Sequence, residues 1–377
     1  MSYTRREFGK LALAGLPAAT ALGPTAVFGA FMQAKPNSLI NGVQIGTITY
    51  SYRSMTDQSA EATLKYILES GISGIELMGG PVESFAGAPA GPGRGGAGAR
   101  GAGAGSGGRR GGDAGPDPAT LTAVWNGKPC APTVAGVRAD AAGRGARAGG
   151  RAATTPEEQA AQQEQASKLK EWRTTVSMEP FKKLRKMYND AGVTIYAWKQ
   201  LNANMSDEEF EYIFNVAEAL GCTHTTLELL TDSAQLKRVG EFAAKKKVYA
   251  AYHTHLQGNM TAFDQAFASS KGNMANVDFG HWVAAGNVGG TPMQFLEKHH
   301  DRIASFHLKD RTTPEHCSLN LPFGTGETPI KQILQLVSKN KWRIPASIEM
   351  EYDVPEGSDA VKEVRKCVEF CRNALAT

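Results

Sequence analysis

The sequence predicts an α/β fold, a (β/α)8 TIM barrel with a long Gly/Ala/Arg-rich insertion after the second strand. Short apolar runs, typical of strands buried on both faces, alternate eight times with amphipathic helical stretches. Setting aside an N-terminal leader and the insertion leaves roughly 270 of the 377 residues, which is close to the usual size of such a barrel. A doubly wound open sheet fits less well, because no Gly-x-Gly-x-x-Gly motif follows the first strand.

The strands and helices are assigned from hydrophobic periodicity and from helix-start signals. Thr155-Pro-Glu-Glu158 and Ser206-Asp-Glu-Glu209 are such signals, with a capping residue and acidic side chains in the first turn. The predicted strands are 43–48, 71–77, 192–198, 222–228, 247–253, 274–278, 302–308 and 344–349. The predicted helices are 58–70, 155–189 with a break near 178–180, 206–220, 232–246, 262–270, 292–300, 329–338 and 359–375.

The N-terminal segment 1–35 is predicted to be an address rather than part of the barrel. Thr4-Arg-Arg-Glu-Phe-Gly-Lys10 precedes an Ala- and Leu-rich run, 11–22, that is too short to span a bilayer well. Paired arginines before such a run are typical of a twin-arginine export signal. The protein is therefore expected to be periplasmic or otherwise exported, without a stable membrane span after export, and tethered to the membrane if the segment is not cleaved.

Composition changes abruptly between residues 86 and 155, inside a barrel domain that otherwise covers 36–377. Gly, Ala, Arg and Pro dominate there, and such a segment buries too little apolar surface to offset its chain entropy. Eight Arg and one Lys stand against three Asp, so the chain's net charge of +4 belongs to this segment. We predict a disordered, low-complexity insertion, with a basic tether to an acidic surface as the alternative. No nucleic-acid role is expected of the barrel itself.

Four side chains at strand ends form a predicted metal site. Glu228, Asp278, His307 and Glu349 end apolar runs, and in a parallel barrel those ends meet on one face. A carboxylate buried there needs a partner or a cation. Three carboxylates and one imidazole, completed by water or substrate oxygens, suit one divalent ion, Mn²⁺ before Mg²⁺, Co²⁺ or Zn²⁺. Taken singly, the glutamates also fit buried ion pairs, the aspartate a helix cap and the histidine a satisfied core position.

Other side chains near strand ends are candidates for substrate contacts. His281 lies three residues after the predicted aspartate ligand, so it faces the same cavity or makes a loop hydrogen bond. His253 and His255 alternate along a strand, so only one of them points inward unless the strand has ended. Lys199 suits either a substrate oxyanion or a snorkelling surface position. Glu76 is ambiguous in the same way, as a site residue or a structural one.

Three motifs and a strand end follow one another in a recognisable order. They are Asn276-Val-Asp-Phe-Gly-His-Trp-Val-Ala-Ala-Gly286, Arg302-Ile-Ala-Ser-Phe-His-Leu-Lys-Asp-Arg311, Phe323-Gly-Thr-Gly-Glu327 and Ser347-Ile-Glu349. This order resembles the sugar phosphate isomerase/epimerase group of the xylose isomerase-like (AP endonuclease 2-type) TIM barrel superfamily. The likeness covers residues 43–80 and 156–375. The long insertion and the export signal depart from the family, which favours a free sugar over a phosphorylated cytosolic one.

The resemblance implies site residues as well as a fold. A Glu, an Asp, a His and a Glu from the later strands would bind one divalent metal, here Glu228, Asp278, His307 and Glu349. It also implies acid–base roles for the two glutamates and a substrate contact for His281. The predicted substrate-binding residues are Lys199, His253, His255 and Lys309 of the His-x-Lys-Asp motif.

The predicted function is that of a divalent-metal-dependent sugar isomerase or epimerase. Glu228 or Glu349 would remove a proton next to a metal-bound carbonyl of a sugar, keto-sugar or cyclic polyol. Loss of a β-substituent after the same step gives a lyase or dehydratase as the first alternative. A non-catalytic periplasmic sugar-binding module is the second, and a metal-dependent phosphodiesterase or endonuclease is less favoured. The expected partner is a small-molecule sugar or polyol, and the sequence is compatible with a homo-oligomer.

Overall fold

The structure, a computed structural model, describes residues 35–90 and 155–376. Between them it also describes the backbone of two short antiparallel strands, Val124–Trp125 and Lys128–Pro129. The chain divides into two units, Met1–Lys35 and Pro36–Thr377. The predicted export signal and most of the predicted insertion lie outside the described residues, so both stay predictions. Among the helices that are described, none is long and apolar enough to cross a membrane.

Eight parallel strands close into a barrel, as the sequence predicts. Each strand pairs with its neighbours in chain order, and the first strand pairs with both the last and the second, which closes the sheet. A two-residue strand, Leu39–Ile40, adds an antiparallel partner to the first. The barrel strands are β1 Val43–Ile48, β2 Gly74–Met78, β3 Thr194–Lys199, β4 His224–Glu228, β5 Tyr249–His253, β6 Asn273–Asp278, β7 Ile303–Leu308 and β8 Ala346–Ile348.

Helices alternate with the strands, and most begin and end within a few residues of the predicted positions. Both predicted helix starts, at Thr155 and at Ser206, form capping boxes, in which each side chain accepts the amide of the residue three positions on. The α-helices are α1 Ala60–Glu69, α2 Gly79–Phe85, α3 Pro156–Thr175, α4 Glu179–Asp190, α5 Asp207–Leu220, α6 Ser233–Lys246, α7 Asp264–Ser269, α8 Phe279–Ala284, α9 Pro292–His299, α10 Ile330–Lys339 and α11 Ala360–Ala376. The sequence predicts no helix at the positions of α2 and α8.

The interior of the barrel is unusually polar near its carboxyl end. Side chains from β2, β4 and β6 contact one another although these strands are not neighbours in the sheet. Glu76 accepts hydrogen bonds from Thr226 at 2.6 Å and from Asn276 at 3.2 Å. Deeper in the barrel, His224 contacts Ser305 at 2.9 Å. Because such groups need partners when they are buried, this polar layer forms a connected network under the ends of the strands.

The segment after β7 builds one side of the barrel mouth. Asp310–Arg311 pairs antiparallel with Asn320–Leu321. The buried carboxylate of Asp310 accepts backbone amides from the following loop, at Gly324, Thr325, Gly326 and Thr328. This explains Gly326 in that loop, because a Cβ there would lie only 2.4 Å from Asp310 Oδ1. The aspartate of the His-x-Lys-Asp motif therefore shapes a loop.

Candidate active site

Four buried side chains meet at the carboxyl end of the barrel. His253, Asp278, His307 and Glu349 each offer a nitrogen or oxygen atom, and these atoms all lie within 4.8 Å of one another. They come from the ends of β5, β6 and β7 and from the residue after β8, which is the face where barrel enzymes place their chemistry. We call this set the ligand group. Two imidazoles and two carboxylates at this spacing are donors that suit a divalent transition metal.

His307 lies at the centre of the ligand group, and both of its ring nitrogens face carboxylates. Nδ1 is 2.6 Å from Glu349 Oε2, and Nε2 is 2.8 Å from Glu76 Oε2. Burial opposes a charged imidazole, but the two carboxylates outweigh burial and raise the pKa of His307 to about 10. Without a metal, the ring is therefore an imidazolium held between two acids.

Asp278 divides its carboxylate between two tasks. Oδ1 accepts the backbone amide of His281 at 2.7 Å and caps helix α8. Oδ2 has no hydrogen-bond partner within the described part of the chain, although Lys309 Nζ lies 3.2 Å away. The helix-cap and metal-ligand interpretations of this residue are thus compatible, because they use different oxygens.

Lys309 lies against the ligand group on its acidic side. Its ammonium is 3.2 Å from Asp278 Oδ2, 3.1 Å from Glu349 Oε2 and 2.7 Å from Glu351 Oε2. Burial disfavours its charge, but these carboxylates outweigh burial and raise the pKa of Lys309. Three carboxylates share this one ammonium, which leaves a negative balance suited to a further cation.

His281 is buried between two cationic side chains. Lys309 Nζ is 2.8 Å from its Nε2, and Arg311 Nη1 is 2.5 Å from its Nδ1. Burial, followed by these two positive charges, holds the pKa of His281 well below its usual range. The ring is therefore neutral at physiological pH. It lies edge-on to His255, with ring centroids 4.8 Å apart, so it belongs to the same cavity wall.

Glu228, Lys199 and His255 form a more exposed set at the mouth of the barrel. Lys199 Nζ is 2.8 Å from Glu228 Oε1, and His255 Nδ1 is 3.6 Å from Glu228 Oε2. The side chains of Glu228 and His255 are 45% and 43% exposed. The structure does not bring Glu228 into the ligand group, where His253 lies instead. Lys199 is thus ion-paired with Glu228. His253, the last residue of β5, is buried inside the barrel, whereas His255 lies beyond the end of the strand.

Glu76, left open by the sequence, is fully buried beneath the ligand group. Its carboxylate accepts from Thr226 and Asn276 and meets His307 Nε2. Burial favours the neutral acid, but His307, Lys199 and Thr226 outweigh burial and lower the pKa of Glu76 to about 2. The signal in the sequence is the one used for the other strand ends, a carboxylate closing an apolar strand.

The ligand group passes a test for a divalent cation on its own geometry. Among the described residues, the buried His253 Nδ1 has no hydrogen-bond partner, and the buried Asp278 Oδ2 has only the ammonium of Lys309, 3.2 Å away. Burial first, and then neighbouring cations, hold the pKa of His253 well below its usual range, so its ring is neutral and free to donate a lone pair. A buried polar atom without a partner is costly, and a coordinated ion would satisfy His253 Nδ1 and further balance the charge of Asp278.

The fold and the site place the protein among (β/α)8 barrels that carry a His/Asp/Glu metal-type site at the carboxyl ends of their strands. The family model for the xylose isomerase-like TIM barrel matches residues 166–373, more than half of the chain. The protein therefore belongs to the xylose isomerase-like TIM barrel family. No functionally curated protein matches the sequence significantly.

Solved structures support the fold at low sequence identity. A sugar phosphate isomerase/epimerase from Parabacteroides distasonis is 14% identical with a TM-score of 0.52, over 89% of this chain and 96% of that one. The probable 3-DHS dehydratase AsbF from Bacillus anthracis is 11% identical with a TM-score of 0.51, over 87% and 98%. The 3-keto-D-glucoside 4-epimerase YcjR from E. coli is 10% identical with a TM-score of 0.49, over 87% and 98%. At these identities the likenesses establish the fold alone.

Proposed function

We propose that the protein is a divalent-metal-dependent enzyme that removes a proton next to a carbonyl group of a sugar, keto-sugar or cyclic polyol, as isomerases and epimerases do. The observation that supports this most directly is the buried ligand group with a solvent-exposed carboxylate beside it. Glu228, at the end of β4, pairs in register with His253 of the ligand group. The activities for which two of the similar structures are named, an isomerase/epimerase and a dehydratase, are compatible with this proposal.

Glu228 is the side chain best suited to accept the proton. Burial disfavours its charge, but Lys199 and His255 outweigh burial and lower its pKa, so the carboxylate is ionised at neutral pH. Lys199 holds Oε1, while Oε2 is buried, lies 3.6 Å from His255 Nδ1 and has no hydrogen-bond partner among the described residues. A general base needs this ionised state and an oxygen that no donor already occupies.

The other residues of the cavity would bind and orient the substrate. His255, exposed next to Glu228, is suited to hydrogen bonds with sugar hydroxyl groups. His281 lines the cavity beside it, with its two ring nitrogens already in contact with Lys309 and Arg311. Glu349, held by His307 and Lys309, is proposed as a ligand and as the second acid–base group. Lys309 would neutralise negative charge at the buried end of the cavity.

The donor atoms of the ligand group indicate which metal ion it would bind and what that ion would supply. A bound divalent cation would stabilise the negative charge that develops on the substrate oxygen when the proton leaves, by several kcal/mol. The ligand group, which includes His253 and not Glu228, holds two imidazoles and two carboxylates. Since imidazole suits transition metals better than Mg²⁺, we propose Mn²⁺, Co²⁺ or Zn²⁺.

The test combines elemental analysis with solvent proton exchange. We expect about one metal ion per chain in the purified full-length protein, as one ligand group predicts. Incubated in D₂O with a panel of keto-sugars, the loaded enzyme should place deuterium on the carbon next to the carbonyl. Release of a β-substituent in the same assay would identify a lyase. Exchange should disappear after metal stripping and return when the ion is restored.

Controls separate catalysis from binding. Glu228→Gln should keep the metal and lose exchange, whereas an exposed change far from the site, Glu179→Gln, should affect neither. A well-folded protein that contains no metal and takes none up on titration would contradict the proposal. In that case thermal-shift screening with the same sugars would test the binding-module alternative.

Export by the twin-arginine route is proposed from the sequence of residues 1–35 alone. A reporter fused to residues 1–40 should reach the periplasm. The same fusion with Arg5 and Arg6 changed to lysine should stay in the cytoplasm, because the paired arginines are what the export machinery recognises. A cytoplasmic location for the unchanged fusion would refute the proposal.

A further inference from the structure

One carboxylate under the ligand group has no role in the proposed chemistry. Glu76 lies on β2 and is fully buried below His307. A buried carboxylate is costly unless each oxygen has partners. Three donors supply them: Thr226 Oγ1 at 2.6 Å, Asn276 Nδ2 at 3.2 Å and the His307 ring at 2.8 Å. These donors fix the direction in which the carboxylate faces.

We propose that Glu76 is a positioning residue that orients His307 for metal binding through its Nε2–H. This inference rests on the proposed function, because it assumes that the ligand group holds a metal. The two ring nitrogens face different surroundings. Nδ1 faces the ligand group, 2.6 Å from Glu349 Oε2 and 3.9 Å from Asp278 Oδ2, and Nε2 faces Glu76 alone among carboxylates.

The geometry determines which tautomer binds. A neutral imidazole has one N–H and one lone pair. If Nε2 donates its proton to Glu76, the lone pair lies on Nδ1, which points into the ligand group. Nδ1 lies 2.6 Å from Glu349 Oε2, which is close to the spacing of two ligand atoms on one ion. Two such atoms lie about 3 Å apart when each bond to the metal is about 2.1 Å. A carboxylate behind a ligating histidine also raises its basicity.

Thr226 and Asn276 extend this arrangement into the barrel. Thr226 donates to Oε1, which leaves Oε2 of Glu76 for His307. Asn276 lies beside both groups, with Nδ2 3.2 Å from Glu76 Oε2 and 3.4 Å from His307 Nε2. Because β2, β4, β6 and β7 each contribute one of these residues, the position of the metal-binding nitrogen depends on four strands rather than on one flexible side chain.

The experiment measures Mn²⁺ affinity of the metal-stripped, full-length protein by calorimetric titration. Glu76→Gln keeps the shape of the side chain but loses its charge, and we expect the Kd for Mn²⁺ to rise about 10–100-fold. Thr226→Val, which removes only one support of Glu76, should raise it less. With Co²⁺ as the probe, the absorption bands of Glu76→Gln should also shift, because the orientation of a ligand has changed.

The matched control is Glu363→Gln. Glu363 is another buried, ion-paired carboxylate, held by Tyr352, Ser358 and Lys366 on helix α11 and its approach. Its neutralisation should leave the Mn²⁺ affinity unchanged while it lowers the thermal stability of the metal-free protein. If Glu76 has only a structural role, Glu76→Gln will behave in the same way, and this result would overturn the inference.

Failure of the proposed function gives a different result. A wild-type protein that binds none of Mn²⁺, Co²⁺ and Zn²⁺ would overturn the metal centre, and the inference with it. Wild-type binding combined with an unchanged Kd in Glu76→Gln would overturn the inference alone. Should Glu76→Gln fail to fold, Thr226→Val decides the question, and a Kd equal to that of the wild type would count against Glu76.

Discussion

Asp278 Oδ1 accepts the backbone amide of His281 at 2.7 Å, so one residue begins helix α8 with one oxygen and directs the other into the ligand group. The Asp-x-Gly-His motif is explained by this arrangement. The aspartate ends β6 and caps the helix, and the cap brings the histidine back over the site three residues later. A structural role and a proposed ligand role are therefore combined in one carboxylate.

Two substitutions at Asp278 should separate these roles. Asp278→Asn keeps an oxygen for the His281 amide, so the helix cap survives while the ligand charge is lost. Asp278→Ala removes both. We expect both variants to lose metal binding, and only the alanine variant to lose about 0.5–2 kcal/mol of unfolding free energy through the missing cap. Titration with Mn²⁺ and urea unfolding of the metal-free proteins measure the two effects. Full metal affinity in Asp278→Asn would exclude Asp278 as a ligand.

Glu228→Gln and Glu349→Gln should differ in whether the protein still binds the metal. Glu228 is exposed and lies outside the ligand group, so Glu228→Gln should retain the metal and lower the exchange rate about 10²–10⁴-fold, the usual contribution of a general base. Glu349→Gln should lose metal as well, because its carboxylate belongs to the ligand group. Metal content measured together with deuterium exchange distinguishes the two. Loss of metal in Glu228→Gln would restore it as a ligand.

Metal binding should release a proton at mildly alkaline pH. In the metal-free protein the pKa of His307 is raised from its ordinary 6.5 to about 10, so the ring is protonated at pH 8. Since a ligand nitrogen must be deprotonated, binding at pH 8 should release about one proton per ion. Above the raised pKa the ring is already neutral, and the release should disappear. Calorimetry in two buffers of different ionisation enthalpy counts the protons, and an unchanged binding enthalpy would contradict the expectation.

Much of the fold could be predicted because it depends on local patterns. The capping boxes at Thr155 and Ser206 use only residues of the same helical turn, so the local sequence is enough to predict these helix starts. Strand β1 has the predicted bounds, Val43–Ile48. Helix α8 was missed because its six residues are too few for a periodic signal, and it depends on the cap from Asp278. The leader and most of the insertion lie outside the described residues, so both stay predictions.

The composition of the site depends on strand register, which the sequence does not fix. Glu228 lies level with His253, and Asp278 lies level with His307, whereas Ser347 pairs with His307. Glu349 therefore reaches the ligand group from two residues beyond Ser347, the residue that pairs with His307. Similar strand-end carboxylates thus lie at different depths. The stagger of the closed barrel decides which of them turn inward, and hydrophobic periodicity in one strand cannot report it.

The buried pair of Glu83 and Arg173 should contribute strongly to stability. Both side chains are only 8% exposed, and Arg173 binds the two oxygens of Glu83 at 2.8 and 3.2 Å. The pair joins helices α2 and α3, which precede and follow the undescribed segment. Arg173→Met should cost about 3–5 kcal/mol, because it leaves a buried carboxylate without its cation. Lys182→Met, which breaks the exposed pair with Glu179, should cost about 0–1 kcal/mol in the same urea titration.

Gly280 should be required for the close packing of helix α8 against Lys309, whose ammonium pairs with Asp278 and Glu349 of the ligand group. A Cβ at this position would be 2.4 Å from Lys309 Cβ and 2.8 Å from its carbonyl oxygen. Gly280→Ala must therefore push Lys309 away from Asp278 and Glu349, and we expect a loss of about 1–3 kcal/mol in unfolding free energy, as for other overpacked positions. Proton exchange into substrate should fall as well, because His281 lies on the displaced helix and contacts Lys309.

The control for Gly280→Ala is the same substitution at the same position of another short helix. Gly80 is the second residue of α2, as Gly280 is of α8, and no atom lies within 4 Å of where its Cβ would be. Gly80→Ala should leave stability unchanged or raise it by about 0.4–1 kcal/mol, since alanine restricts the unfolded chain. Urea unfolding of both variants separates crowding from the loss of glycine. If Gly280→Ala were as stable as Gly80→Ala, the glycine of the motif would not be there to let Lys309 approach.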